Sequence, residues 1–69
     1  MPCYVVNKNA QTKSGQHEVH KEGCDYMPDI DNQMPLGSHA TCHSAVEKAK
    51  GRYPTADGCA HCCPECNRG

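Results

Sequence analysis

The chain opens on a short β-prone run, Cys3-Tyr4-Val5-Val6-Asn7, followed by a polar stretch over 8–16 in which Gly15 supplies a turn. His17-Glu18-Val19-His20 alternates weakly between polar and apolar and predicts a second strand, returning along the first as a hairpin. Gly23-Cys24 makes a tight turn, and 26–32 reads as an irregular loop. A third strand over 33–36 belongs at a sheet edge, because Pro35 has no N–H to give to a ladder. The clearest element is a helix over 41–50. Its apolar positions Cys42, Ala45, Val46 and Ala49 fall at i, i+3, i+4 and i+7, the stripe of one helical face. Thr41 or Ser44 can cap its start, Ser44 and Glu47 having capping-box spacing, and Gly51 with Pro54 ends it. The tail Gly58-Cys59-Ala60-His61-Cys62-Cys63-Pro64-Glu65-Cys66 is a cysteine knuckle entering a short helical turn. The pattern predicts a small α+β domain spanning 1–69: a short antiparallel hairpin within three short strands, one main helix and a C-terminal cysteine knuckle.

Composition adds a stability problem to this outline. The large aliphatic residues are Val5, Val6, Val19, Ile30, Leu36 and Val46, with three Tyr and neither Phe nor Trp. So few core residues do not offset the entropy of ordering a whole chain, so the fold needs a staple. Seven cysteines supply one, and an odd number leaves at least one thiol without an intramolecular partner. The N-terminus carries no apolar run of signal-peptide length and nothing approaches a membrane span, which predicts a cytoplasmic protein with reduced thiols and no membrane partner. There, clustered Cys and His read as metal ligands before they read as cystines. The formal charge is −1. The nearest basic cluster, Lys48, Lys50 and Arg52, sits where cations favour the end of the helix dipole. A phosphate-tracking surface would need many more.

The strongest chemical signal is Cys59-x2-Cys62, whose spacing lets both thiolates face one centre while amides of the turn hydrogen-bond the sulfurs. The other half of a tetrahedral site is best supplied by His20-x3-Cys24, flanking a glycine turn after a strand. Cys66, four residues after Cys62, is the rival to His20 as fourth ligand. Cys63 beside Cys62 reads as a bystander, Cys42 as a small buried residue of the helix face, and Cys3 as free. His17, His39, His43 and His61 read as solvated, with His17 the one to watch because it lies three residues before His20. Zinc is the metal that a thiolate-rich tetrahedral set favours.

Reactive chemistries compete with this reading. A redox dithiol at Cys-x2-Cys needs a βαβ context that the chain does not supply. A cysteine nucleophile needs a cleft and an oriented base, and a hydrolytic zinc site needs an open coordination position. Glu22 and Glu65 lie near ligands without being singled out. No catalytic residue is assigned, and the chain reads as a non-enzyme.

The order Asn7-Lys8-Asn9, Val19-His20-x3-Cys24, Asn32, a helix with Ala45 and Ala49, and Gly58-Cys59-x2-Cys62 resembles the Ada-like metal-binding domain superfamily over about 7–62. The chain also looks similar to small stand-alone bacterial members of unknown function that share His17-x2-His20-x3-Cys24, Cys42 and Cys59-x2-Cys62-x3-Cys66. The resemblance implies a strand pair and a knuckle each giving two zinc ligands. In the methyl-phosphotriester repair proteins of that superfamily the first ligand is a cysteine that accepts a methyl group from DNA phosphate. Here it is His20, which cannot be that thiolate, and the extra Cys42 and Cys66 depart from the four-ligand pattern. The expected function is therefore a structural zinc module binding a protein or nucleic-acid partner. The alternative is a reactive-thiol protein, using Cys62, Cys63 or Cys66 in redox sensing or metal transfer.

Overall fold

A computed structural model describes residues 1–68. Strands β1 (Cys3–Asn7), β2 (His17–Lys21), β3 (Gln33–Ser38) and β4 (Ala56–Gly58) form one sheet in the order β3-β1-β2-β4, and helix α1 (Cys42–Lys50) packs across it. The fold is the small α+β arrangement expected from the pattern, with one correction: the sheet has four strands rather than three. The fourth escapes a periodicity reading because Ala56-Asp57-Gly58 has only three residues and little β propensity. It is held from outside, by parallel pairing of His17, Glu18 and Val19 with Ala56, Asp57 and Gly58.

β1 pairs antiparallel with both β2 and β3 and is a central strand, and its β-branched Val5 and Val6 are both buried. Alternation splits them. Tyr4 and Val6 join Val19, Leu36, Ala45, Val46 and Ala49 under the helix. Val5 lies on the opposite face, in register with His20, which is 1 % exposed. The β2 end that carries His20 is thus set by the hairpin register.

Pro35 is carried by β3, at the sheet edge as expected. The register slips between Tyr4↔Gly37 and Val5↔Pro35, leaving Leu36 as the extra residue of a bulge, and Gly37 takes φ 83° there. The Leu36 carbonyl freed by this bulge accepts from His39 Nε2 at 2.8 Å and from Lys48 Nζ at 3.1 Å. Lys48 is therefore committed to the fold.

Helix α1 buries Cys42, Ala45, Val46 and Ala49, the predicted stripe. Thr41 is its N-cap residue without a side-chain cap bond, and the expected Ser44–Glu47 box does not form because Ser44 lies inside the first turn. The Ser44 hydroxyl instead lies 2.9 Å from His39 Nδ1. Beyond β4 the chain turns through the knuckle into a single 3-10 turn, Pro64–Cys66. This tail lies tight on β4: a Cβ at Gly58 would meet Cys63 O and Cys66 Cβ at 2.7 Å. Asn67 Nδ2 donates to Gly58 O at 2.9 Å, and the Arg68 amide donates to the buried Asp57 carboxylate at 2.9 and 3.1 Å. No helix among the described residues is long and apolar enough to cross a membrane.

Candidate metal centre

Two short segments end side by side because β2 and β4 run parallel. After β2 the chain reverses through Gly23, whose φ of 92° few side chains would tolerate, and delivers Cys24 four residues past His20. After β4 the Cys59 amide donates to Val19 O at 2.9 Å, and a turn closed by the Cys63 amide on Cys59 O brings Cys62 back to the same place. The donor atoms of His20, Cys24, Cys59 and Cys62 all lie within 4.8 Å of one another. Tetrahedral ligands about 2.0–2.3 Å from an ion stand roughly 3.5–3.8 Å apart, and His20 Nδ1 is 3.8 Å from Cys62 Sγ. The donor set suits a metal ion with a taste for nitrogen and sulfur.

Each of the three sulfurs also faces a backbone amide. Lys21 N–H points to Cys62 Sγ at 3.3 Å, Tyr26 N–H to Cys24 Sγ at 3.5 Å, and His61 N–H to Cys59 Sγ at 3.4 Å. Such donors stabilise thiolates over thiols. The metal-free fold opposes them: burial raises the Cys62 thiol well above its ordinary range, with the neighbouring Cys24 adding to the effect. A bound cation resolves this conflict by replacing the thiol protons. His20 is held below its ordinary range by burial, against the pull of Glu18, and is thus kept as the neutral imidazole that a metal requires. Glu18 Oε1 lies 3.5 Å from His20 Nε2, on the side of the ring away from Cys62, where a carboxylate fixes the tautomer that leaves Nδ1 free. The two half-sites are also joined outside the centre. Tyr26, two residues after Cys24, stacks on His61 of the knuckle with ring centroids 3.8 Å apart.

Cys66, the rival fourth ligand, is not brought to this group. It forms a disulfide with Cys42, tying the Pro64–Cys66 turn to the start of α1. Cys42 is buried on the helix face as read from its position, but it is bonded there rather than merely packed. Cys63 turns into the helix-side core and is 0 % exposed, with burial raising its thiol. Cys3 is free, 3.5 Å from Ser38 Oγ. His17 stays away from the centre: its Nδ1 is 2.9 Å from Asn7 O and its ring stacks on Tyr53 at 4.1 Å. Sequence reading passed over Glu18, whose alternation with His20 on one strand face was the available signal, and His61, whose place inside the knuckle was another.

Comparison with protein-family models, with curated proteins and with solved structures finds no match to this chain.

Proposed function

We propose that the chain is a structural zinc module in which His20, Cys24, Cys59 and Cys62 hold one ion that closes the fold for binding a protein partner. The observation that carries this is the convergence of four N/S donors from two half-sites, each sulfur facing a backbone amide. A structural zinc site contributes about 10–16 kcal/mol to folding, the scale that a thin core calls for. The reading also draws on the resemblance of Val19-His20-x3-Cys24 and Gly58-Cys59-x2-Cys62 to the Ada-like superfamily, and on that resemblance His20 would make the centre structural rather than methyl-accepting. Five of the seven cysteines are free, while the Cys42–Cys66 bond departs from the fully reduced thiols expected of a cytoplasmic chain.

A protein partner is favoured over nucleic acid for two reasons. Lys48, the centre of the small basic cluster, is spent on the Leu36 carbonyl. The loop between β2 and β3 instead presents apolar surface, with Tyr26 59 % and Ile30 80 % exposed, and Cys24 anchors it to the metal.

Native mass spectrometry of the chain with its Cys42–Cys66 bond intact should show one zinc, lost on chelation together with compactness. A compact form unchanged by exhaustive chelation refutes the reading. At the metal centre itself the reactive-thiol alternative narrows to Cys62, since Cys63 is sealed in the core and Cys66 lies outside the centre in its bond to Cys42, whereas clefts on two sides reach Cys62. It requires one cysteine that alkylates far faster than the others with metal bound.

A further inference from the structure

A second group of soft donors lies outside the centre just described. Cys42 and His43 occupy the first two positions of α1, and Cys66 ends the Pro64–Cys66 turn packed against them. The two sulfurs and a His43 ring nitrogen all lie within 4.8 Å of one another. We propose that Cys42, Cys66 and His43 form a second soft-metal site, closed while the two cysteines are joined and opened when they are reduced.

Three features argue that this cluster is more than a covalent brace. A disulfide has no use for an imidazole beside both of its sulfurs, whereas a dithiolate metal site has, and His43 is otherwise an exposed helix residue. Glu65 Oε1 lies 3.3 Å from Cys42 Sγ. A bonded sulfur has no proton to give that carboxylate, but a reduced Cys42 donates S–H to it, and an ion between the sulfurs would have it as a neighbouring oxygen donor. Finally, clefts open beside both buried cysteines: one is lined by Cys66 and His43, and another by Cys42, His43 and Glu65. The Cα atoms stand 6.3 Å apart, a span that two cysteine side chains bridge through an S–S bond or through one ion.

The opening step is a thiol–disulfide exchange. Two low-molecular-weight thiols deliver two electrons and two protons, the Cys42–Cys66 bond breaks, each sulfur becomes S–H, and the thiols leave as their own disulfide. A divalent soft cation then replaces the two protons, with His43 as a third ligand. The low-molecular-weight disulfide reverses the sequence: it takes two electrons from the two sulfurs and leaves as two thiolates, the Cys42–Cys66 bond re-forms, and the ion is expelled. This site is independent of the zinc-module reading, because it shares no ligand with His20, Cys24, Cys59 or Cys62.

Cadmium titration of the full chain tests it, read by thiolate-to-metal charge-transfer absorption and by native mass. With a phosphine reductant the chain should take one more cadmium than the same chain with the Cys42–Cys66 bond intact. Under the same reductant, the double variant Cys42→Ser and Cys66→Ser should lack that extra ion. The exposed His43→Ala, which leaves the core untouched, should weaken the extra ion alone by tenfold or more. The arms separate the two centres: Cys59→Ser removes only the ion that survives oxidation. Equal cadmium stoichiometry in the reduced and bonded chains overturns the proposal. So does an extra ion that persists in the double variant or that His43→Ala leaves unweakened.

Discussion

Gly58→Ala places one methyl group where the knuckle tail meets β4, and the structure sets its cost. The new Cβ would stand 2.7 Å from Cys63 O, 2.7 Å from Cys66 Cβ and 2.9 Å from the Cys66 carbonyl carbon. Two of these atoms are main chain and the third belongs to a side chain bonded to α1, so no flexible tip can swing aside. The contacts must open from 2.7 Å to at least 3.4 Å, carrying the segment after Cys62 away from the sheet. Overpacking of this kind costs about 1–3 kcal/mol, and the reduced freedom of the unfolded chain returns about 0.4–1 kcal/mol. A net loss of about 1.3 kcal/mol lowers the melting temperature of a domain this size by roughly 5–10 °C. Because Cys59 follows directly, the variant should also bind zinc roughly tenfold more weakly in competition with a chelator. Gly51→Ala is the matched control. Gly51 has φ −65° and its nearest neighbour is Lys48 O at 3.3 Å, so that change should stay within about 1 kcal/mol of the parent. Thermal melts of the metal-loaded proteins decide the matter. If Gly58→Ala melts within about 2 °C of the parent and holds zinc equally well, the tight seating of the tail on β4 is refuted.

Glu18→Ala should weaken zinc binding by about 10–100-fold while leaving one ion per chain, since only the orientation of His20 is lost; unchanged affinity in a chelator competition would discount the carboxylate. Acid should destabilise the metal-loaded chain. Unfolding returns three thiolates to thiols with ordinary values near 8.5 and His20 to one near 6.5, so the unfolded state binds more protons and stability falls as pH falls. Melts below pH ~8.5 should report about three protons taken up on unfolding, and about four below pH ~6.5; stability that is flat or rising toward acid contradicts the ligand set. In the metal-free fold the depressed His20 works with the same sign, its share being lost from about 6.5 down to its lowered value. Cys63→Ala should cost about 1 kcal/mol of packing and leave metal stoichiometry intact; loss of the ion would place Cys63 in the centre.

Much of this arrangement is legible from local pattern. β1, β2 and α1 follow from strand alternation and a four-residue helical stripe, because each buries one face against a neighbour close in sequence. The edge position of β3 follows from Pro35 alone. The rest depends on relations between distant segments. β4 exists because β2 offers it a ladder 39 residues away, His17 to Ala56, and nothing within Ala56-Asp57-Gly58 announces that. The two half-sites were readable as spacings, but the choice between His20 and Cys66 was not. It turns on Cys42, whose helix position is local while its bond to Cys66, 24 residues on, is not. Ser44 shows the same limit on a smaller scale: capping-box spacing is present, but the His39 ring takes the hydroxyl.

The parallel pairing of β2 with β4 imposes an order of assembly. His20 and Cys24 sit at the end of a hairpin that closes through short-range contacts, whereas Cys59 and Cys62 arrive only after a connection of 34 residues. Closing that span costs roughly 3 kcal/mol of chain entropy, and three residues of ladder do little to repay it. On the proposed zinc reading, the hairpin pair would capture the ion first, and the knuckle would dock onto a half-filled centre, drawing the last strand into the sheet as it arrives. Release would run the other way, with the C-terminal strand and its knuckle leaving before the hairpin gives up the metal.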